Sequence, residues 1–174
     1  MNLTKEHQEI NAALDEYRRR LDGITEEEFT ETPPIGGWSY AEVYAHIMHA
    51  NLGSSIAAEK CCRKTGVTTS KGMNWKGRLV FLLGRFPPGK RKAPASLDAV
   101  TKKISIEEAR NLIIKLRKRV DEIFQLAQHA SGDCKIAHPG LGMLTAQQWL
   151  KFIRIHTHHH IKQLNNIQKS FPQK

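Results

Sequence analysis

A chain of 174 residues with 40% hydrophobic and 25% charged side chains has the size and composition of one soluble domain, 1–174, that can bury a core without covalent staples. Three cysteines (Cys61, Cys62 and Cys134) make no disulfide framework, no apolar run nears the roughly 20 residues of a membrane span, and the polar first residues lack a signal peptide's apolar stretch. A cytoplasmic protein that does not enter the membrane is expected. The net charge of +10 invites a nucleic-acid reading. The basic residues read as scattered, however, over Arg18 to Arg20, Lys90 to Lys92, Lys102, Lys103 and Lys115 to Arg119. No recognition motif accompanies them, so a solvated basic surface is the better expectation.

In chain order, the first helix is expected from Thr4 into the low twenties. Ile10, Leu14, Tyr17 and Leu21 recur at steps of four, three and four, and Gly23 stops it. Thr25-Glu26-Glu27-Glu28 has the form of a capping box for a short turn, and Pro33-Pro34 forbids continuation. Ser39, with Glu42 three residues on, caps a second long helix. Val43, His46, Ala50, Gly53 and Ala57 predict its inward stripe, one histidine among small residues. Small neighbours let another helix approach or leave room for an ion; a lone histidine there is more often a satisfied core residue.

Residues 66–73 read as loop, 74–86 as a short apolar helix and 87–103 as an irregular basic segment. So long a connection suits a lid or crossover over one end of a bundle. A short interfacial helix touching membrane is the less favoured alternative. Ser105 with Glu108 caps the third long helix, with Leu112, Leu116, Val120 and Phe124 on its stripe and Ile113 and Ile123 alongside, fading near His129. Residues 131–144 carry the turn-formers Gly132, Pro139, Gly140 and Gly142 and read as loop. Cys134 and His138 within it are a weak ligand pair. Thr145 with Gln148 caps the last helix. The expected fold is all-α, a four-helix bundle with one long crossover that carries a short extra helix.

The last helix holds the most specific signal. Trp149, Ile153, His156, His160, Gln163 and Ile167 recur at steps of four, three, four, three and four, so two histidines occupy core positions. Residues four apart lie on one face about 6 Å apart along the axis, and both imidazoles can address one ion. An inward imidazole needs partners for both nitrogens, and a shared cation would satisfy one on each ring. The run is too deep in a periodic helix to be an affinity tag; a merely hydrogen-bonded or exposed cluster is the alternative. His158 and His159 fall off the stripe and read as surface or supporting imidazoles. His46 is the natural third donor.

Three neutral imidazoles suit a divalent transition metal, zinc or nickel. Three donors leave coordination open, which favours chemistry: hydrolysis by activated water, or attack by a substrate thiol deprotonated on the ion. No Ser-His-Asp spacing or phosphate-binding glycine loop is present. The alternative is a non-catalytic metal-binding or stress-response bundle.

Trp38-Ser39, then Glu42-Val43 and His46-Ile47, and in the last helix His156 with His160, Gln163 and Leu164, together resemble the DinB-like superfamily, which includes YfiT-type metal-dependent hydrolases. The segment from His138-Pro139-Gly140-Leu141-Gly142 through Thr145 and Gln148-Trp149 to the histidine pair resembles one branch of uncharacterised function. The resemblance implies an up-down-down-up bundle, often a homodimer, with nickel or zinc held by three histidines, which fall here on His46, His156 and His160. It also implies a small-molecule substrate. Characterised relatives are thiol S-transferases using bacillithiol, mycothiol or glutathione, and a mycothiol-dependent maleylpyruvate isomerase, so a low-molecular-weight thiol is an expected co-substrate.

Overall fold

The computed structural model describes residues 1–87 and 102–172, so most of the basic segment expected over 87–103 lies outside the described residues. In chain order the elements are α1 (Leu3–Leu21), α2 (Glu26–Thr30), α3 (Tyr40–Cys62), β1 (Val67–Thr68), α4 (Trp75–Leu83), α5 (Ile106–Ala127), β2 (Cys134–His138), β3 (Gly142–Leu144) and α6 (Ala146–Ser170). The side-chain caps stand where the sequence puts them. Ser39 and Thr145 make complete capping boxes with Glu42 and Gln148, and the Thr25 and Ser105 oxygens accept from the Glu28 and Glu108 N–H groups.

Side-chain bonds fix the directions of the four long helices. Along α1 and α6, Glu6 accepts from Arg154 at 2.8 Å, Tyr17 donates to the Thr157 carbonyl at 2.9 Å, and Arg20 donates to Asn165, so these helices run parallel. His7 meets Asp121, Asn11 meets Arg117 and Asp22 meets Arg110, so α5 runs against α1. Asn51 meets His156 and Cys61 meets the Leu144 carbonyl, so α3 runs against α6. The order is up, down, down, up. Both helices flanking α1, α5 and α6, also flank α3, which leaves α1 and α3 facing across the core. Tyr44 bridges that diagonal, donating to the Tyr17 carbonyl at 2.8 Å.

The stripes of α1 and α6 are inward as expected: Ile10, Leu14, Tyr17 and Leu21, and Trp149, Ile153, His156, His160 and Ile167, are buried. In α5 Ile113, Leu116, Val120 and Ile123 are buried, whereas Leu112 is half-buried and Phe124 rests half-buried under His7, rings 4.3 Å apart. The stripe drawn on α3 needs correction. Val43 and His46 are buried, but Ala50 and Ala57 are half-buried and Gly53 is exposed. The first turns of α3 meet Tyr17 of α1, Phe29 of α2 and the histidines of α6, and all of Tyr40 to Met48 except Glu42 are buried. Further along, the inward face follows Asn51, Ser54, Ser55, Ala58 and Cys61. Where a helix is buried all round, hydrophobic periodicity carries no phase.

The second correction is a small sheet in segments read as loop. β2 pairs antiparallel with β1 (Val67 opposite Lys135) and with β3 (Ile136 opposite Leu144), in the order β1-β2-β3. Gly142 turns the hairpin at φ +87°, where a Cβ would also lie 2.6 Å from the Asn74 amide nitrogen. The sheet thus clips the start of the crossover to the entry of α6, and it places His138 above Trp149 and Phe152. Among the described residues no helix is long and apolar enough to cross a membrane.

Candidate metal centre

The α3 cap sets the depth of the first histidine. Ser39 Oγ accepts from the Glu42 amide and Glu42 Oε2 from the Ser39 amide, so α3 starts in a fixed register and His46 follows two turns on. Trp38, immediately before the cap, lies against it with ring centroids 5.1 Å apart. Antiparallel α6 brings His156 and His160 to the same level. The three rings lie 4.8–5.3 Å apart between centroids, and one nitrogen from each can be chosen so that all lie within 4.8 Å. The structure therefore brings together all three candidate ligands named from the sequence. Among the described residues no cysteine or carboxylate joins the cluster.

Hydrogen bonds decide which nitrogens are available. Asn51 Oδ1 lies 3.1 Å from His156 Nδ1, and Gln163 Oε1 lies 2.7 Å from His160 Nδ1. An amide oxygen only accepts, so each Nδ1 carries the ring proton and each Nε2 presents a lone pair. Those two Nε2 atoms face each other at 3.1 Å. Two lone pairs cannot bond one another, whereas nitrogens sharing a tetrahedral ion at about 2.05 Å sit about 3.3 Å apart. His46 Nδ1 is buried with no hydrogen-bond partner. This donor set fits a soft-to-borderline divalent cation.

All three rings are held neutral, the state a ligand requires. Burial lowers the His46 pKa to about 4 and the His160 pKa to about 3, and pushes that of His156 well below the ordinary value; the neighbouring imidazoles add to each shift. The walls are aromatic. Phe152 stacks on His156 at 5.3 Å, and Phe86, beyond α4, meets His156 at 6.2 Å and His159 at 5.1 Å. The three histidines nevertheless keep 6–8% exposure.

The other histidines separate clearly. His159 is exposed beside His160, and His158 bonds its own helix at the Arg154 carbonyl, 2.9 Å away. His138 does not pair with Cys134: its ring packs on Phe152 (4.5 Å) and Trp149 (5.4 Å), whereas the buried Cys134 sulfur lies against Gly66 at the other end of β2. The Gly140 amide donates to His138 Nδ1 and burial lowers the pKa to about 4, so its proton sits on Nε2. Sequence reading missed Asn51 altogether. Its signal was available, a lone amide in an otherwise apolar and small-residue stretch, but the misphased stripe pointed at Ala50 instead.

An up-down-down-up bundle with a three-histidine cluster between its second and last long helices defines the class. Residues 9–164 match the profile of the DinB superfamily, and the chain belongs to that superfamily. It is similar to YuaE of Bacillus subtilis strain 168, an uncharacterized protein, with 23% identity over 160 residues that cover 92% of this chain and 95% of that one. Among solved structures it is similar to YfiT from Bacillus subtilis, described as a probable metal-dependent hydrolase with an unusual four-helix bundle topology, at TM-score 0.64 and 16% identity over 96% of this chain and 86% of that one. It is also similar to the mycothiol-dependent maleylpyruvate isomerase, at TM-score 0.51 and 16% identity, over 90% of this chain and 58% of the isomerase. At such identities the likeness concerns the fold.

Proposed function

We propose that the protein is a metal-dependent enzyme of small molecules, of thiol S-transferase or hydrolase type, whose zinc or nickel ion is held by His46, His156 and His160. The observation that carries this reading is the pair of Nε2 lone pairs facing at 3.1 Å beside a third buried imidazole. When bound, such an ion supplies Lewis acidity that lowers the pKa of a water or a thiol. The chain supplies the rest. Asn51 and Gln163 hold the two α6 imidazoles in the ligating tautomer, as outer partners of metal-binding histidines do. Trp38, Phe86 and Phe152 screen the cluster from water, which strengthens every polar interaction inside it. With three donors among the described residues, a position stays open for an exogenous ligand. The hydrolase and isomerase likenesses support both chemistries, each requiring one small ligand beside three histidines.

The test is elemental analysis of untagged protein beside His156→Ala and His160→Ala. The expected result is about one zinc or nickel per chain, absent from both variants, with their helical circular dichroism unchanged. Full metal content in either variant overturns the ligand assignment. Full metal in the wild type without turnover of thiols plus electrophiles, or of esters and amides, would favour a non-catalytic metal protein.

A further inference from the structure

The net charge is not spread over the chain. Residues 60–97 hold ten of the 27 Lys and Arg and none of the 17 Asp and Glu, so the remainder balances at 17 of each. The whole excess of +10 therefore belongs to the crossover and its approach. Within the described part of it, Lys71, Lys76, Arg78 and Arg85 are all exposed. Among the described residues no ion pair joins any of the four.

The same segment turns apolar side chains outward. In α4, Gly77, Val80 and Phe81 are buried, while Trp75, Leu79 and Leu82 recur at steps of four and three on the opposite face, with Leu83 beside them. Their exposures are 71, 37, 84 and 46%. The helix start is tied to the turn before β3: the Asn74 amide and side chain donate to the Leu141 and Gly140 carbonyls, and Gly77 packs so closely that a Cβ would lie 2.4 Å from the Leu141 carbonyl oxygen. A short helix anchored on one side and presenting tryptophan and leucine among unpaired cations on the other has the composition of an interfacial helix.

We propose that α4 docks the protein peripherally on an anionic lipid surface, with Trp75, Leu79 and Leu82 entering the headgroup boundary and Lys71, Lys76, Arg78 and Arg85 meeting headgroup phosphates. Charge complementarity selects this occupant. A second copy of the chain would bring two unpaired basic faces together, and a nucleic acid would satisfy the cations but leave Leu82 and Leu83 in water. A lipid interface satisfies both halves of the face at once.

The test is co-sedimentation of the full-length protein with vesicles of phosphatidylglycerol and phosphatidylcholine, and with phosphatidylcholine alone. The expected result is binding to the anionic vesicles only, weakening steeply as salt rises to about 0.5 M. Leu82→Ser should bind about tenfold more weakly, with unchanged thermal unfolding, and Lys76→Glu combined with Arg78→Glu should bind more weakly still. No binding at low salt overturns the proposal. So does equal binding of Leu82→Ser, which would mean that charge alone holds the protein to any polyanion. A wild-type dimer that Leu82→Ser converts to monomer, without vesicle binding, would assign the face to self-association instead.

Discussion

The histidine cluster and the outer face of α4 depart from the usual distribution of residues in opposite senses. At the cluster, three imidazoles and the Asn51 amide sit inside the bundle at 0–8% exposure, among aromatic rings and aliphatic core. On α4, a tryptophan and three leucines stand in water among cations. Buried polar groups and exposed large apolar ones are the informative exceptions to residue partitioning. Each costs stability where it stands, the first by desolvation and the second by unburied apolar area. The two therefore answer to different perturbations: the cluster to protons and metal, the α4 face to surfaces and salt.

Acid should separate them most. Burial depresses the His46 and His138 pKa values to about 4 and that of His160 to about 3, and that of His156 falls well below normal. The unfolded chain titrates these groups near about 6.5. Between those values the unfolded state binds more protons, so stability rises with pH there. For metal-free protein the full contribution is present above about 6.5 and is lost as pH falls through about 4 and then about 3. Thermal midpoints of chelator-treated protein measured from about pH 7 to about pH 3.5 should fall continuously, and the loss should be shallower in His46→Phe. A flat profile would mean that the imidazoles are already solvated.

Truncation gives the next contrast. Ile153 is fully buried one turn before His156, and Ile153→Ala should cost about 2–5 kcal/mol through lost burial and a cavity. Leu82→Ala, at 84% exposure, should stay within about 0.5 kcal/mol. Urea denaturation of the two variants checks this. A comparable loss from Leu82→Ala would show that the α4 face is packed within the folded chain.

Much of this architecture was legible because it is local. Caps at Ser39, Ser105 and Thr145 and the stripes of α1 and α6 depend on residues within one or two turns, and the α6 stripe put His156 and His160 together on one inward face. What escaped depends on distant partners. β1 is two residues long and exists only because Val67 pairs with Lys135, and a pairing across the chain leaves no periodic trace in so short a stretch. The phase of α3 was lost because helices surround its first turns, and Asn51 was lost with it. Gln163 was placed on the inward stripe because α6 keeps a polar face.

Those two amides supply the finest contrast, within the cluster itself. Asn51 is fully buried and accepts from His156 at 3.1 Å; Gln163 is half-buried and accepts from His160 at 2.7 Å. Asn51→Leu deletes an acceptor that water cannot readily replace, so the His156 proton is free to move to Nε2 and occupy the ligating lone pair. Metal affinity should fall about 10–100-fold, the usual penalty for losing an outer partner. Gln163→Leu opens a site that solvent can reach, and water can accept from His160 Nδ1 in its place. Its loss should lie at or below about tenfold. Competition titrations with a chromophoric zinc chelator measure both, and ¹⁵N shifts of His156 should show the Nδ1–H tautomer weakened in Asn51→Leu alone. Equal losses in the two variants would mean that burial of the partner does not set its worth, and that both amides act only by filling space beside the rings.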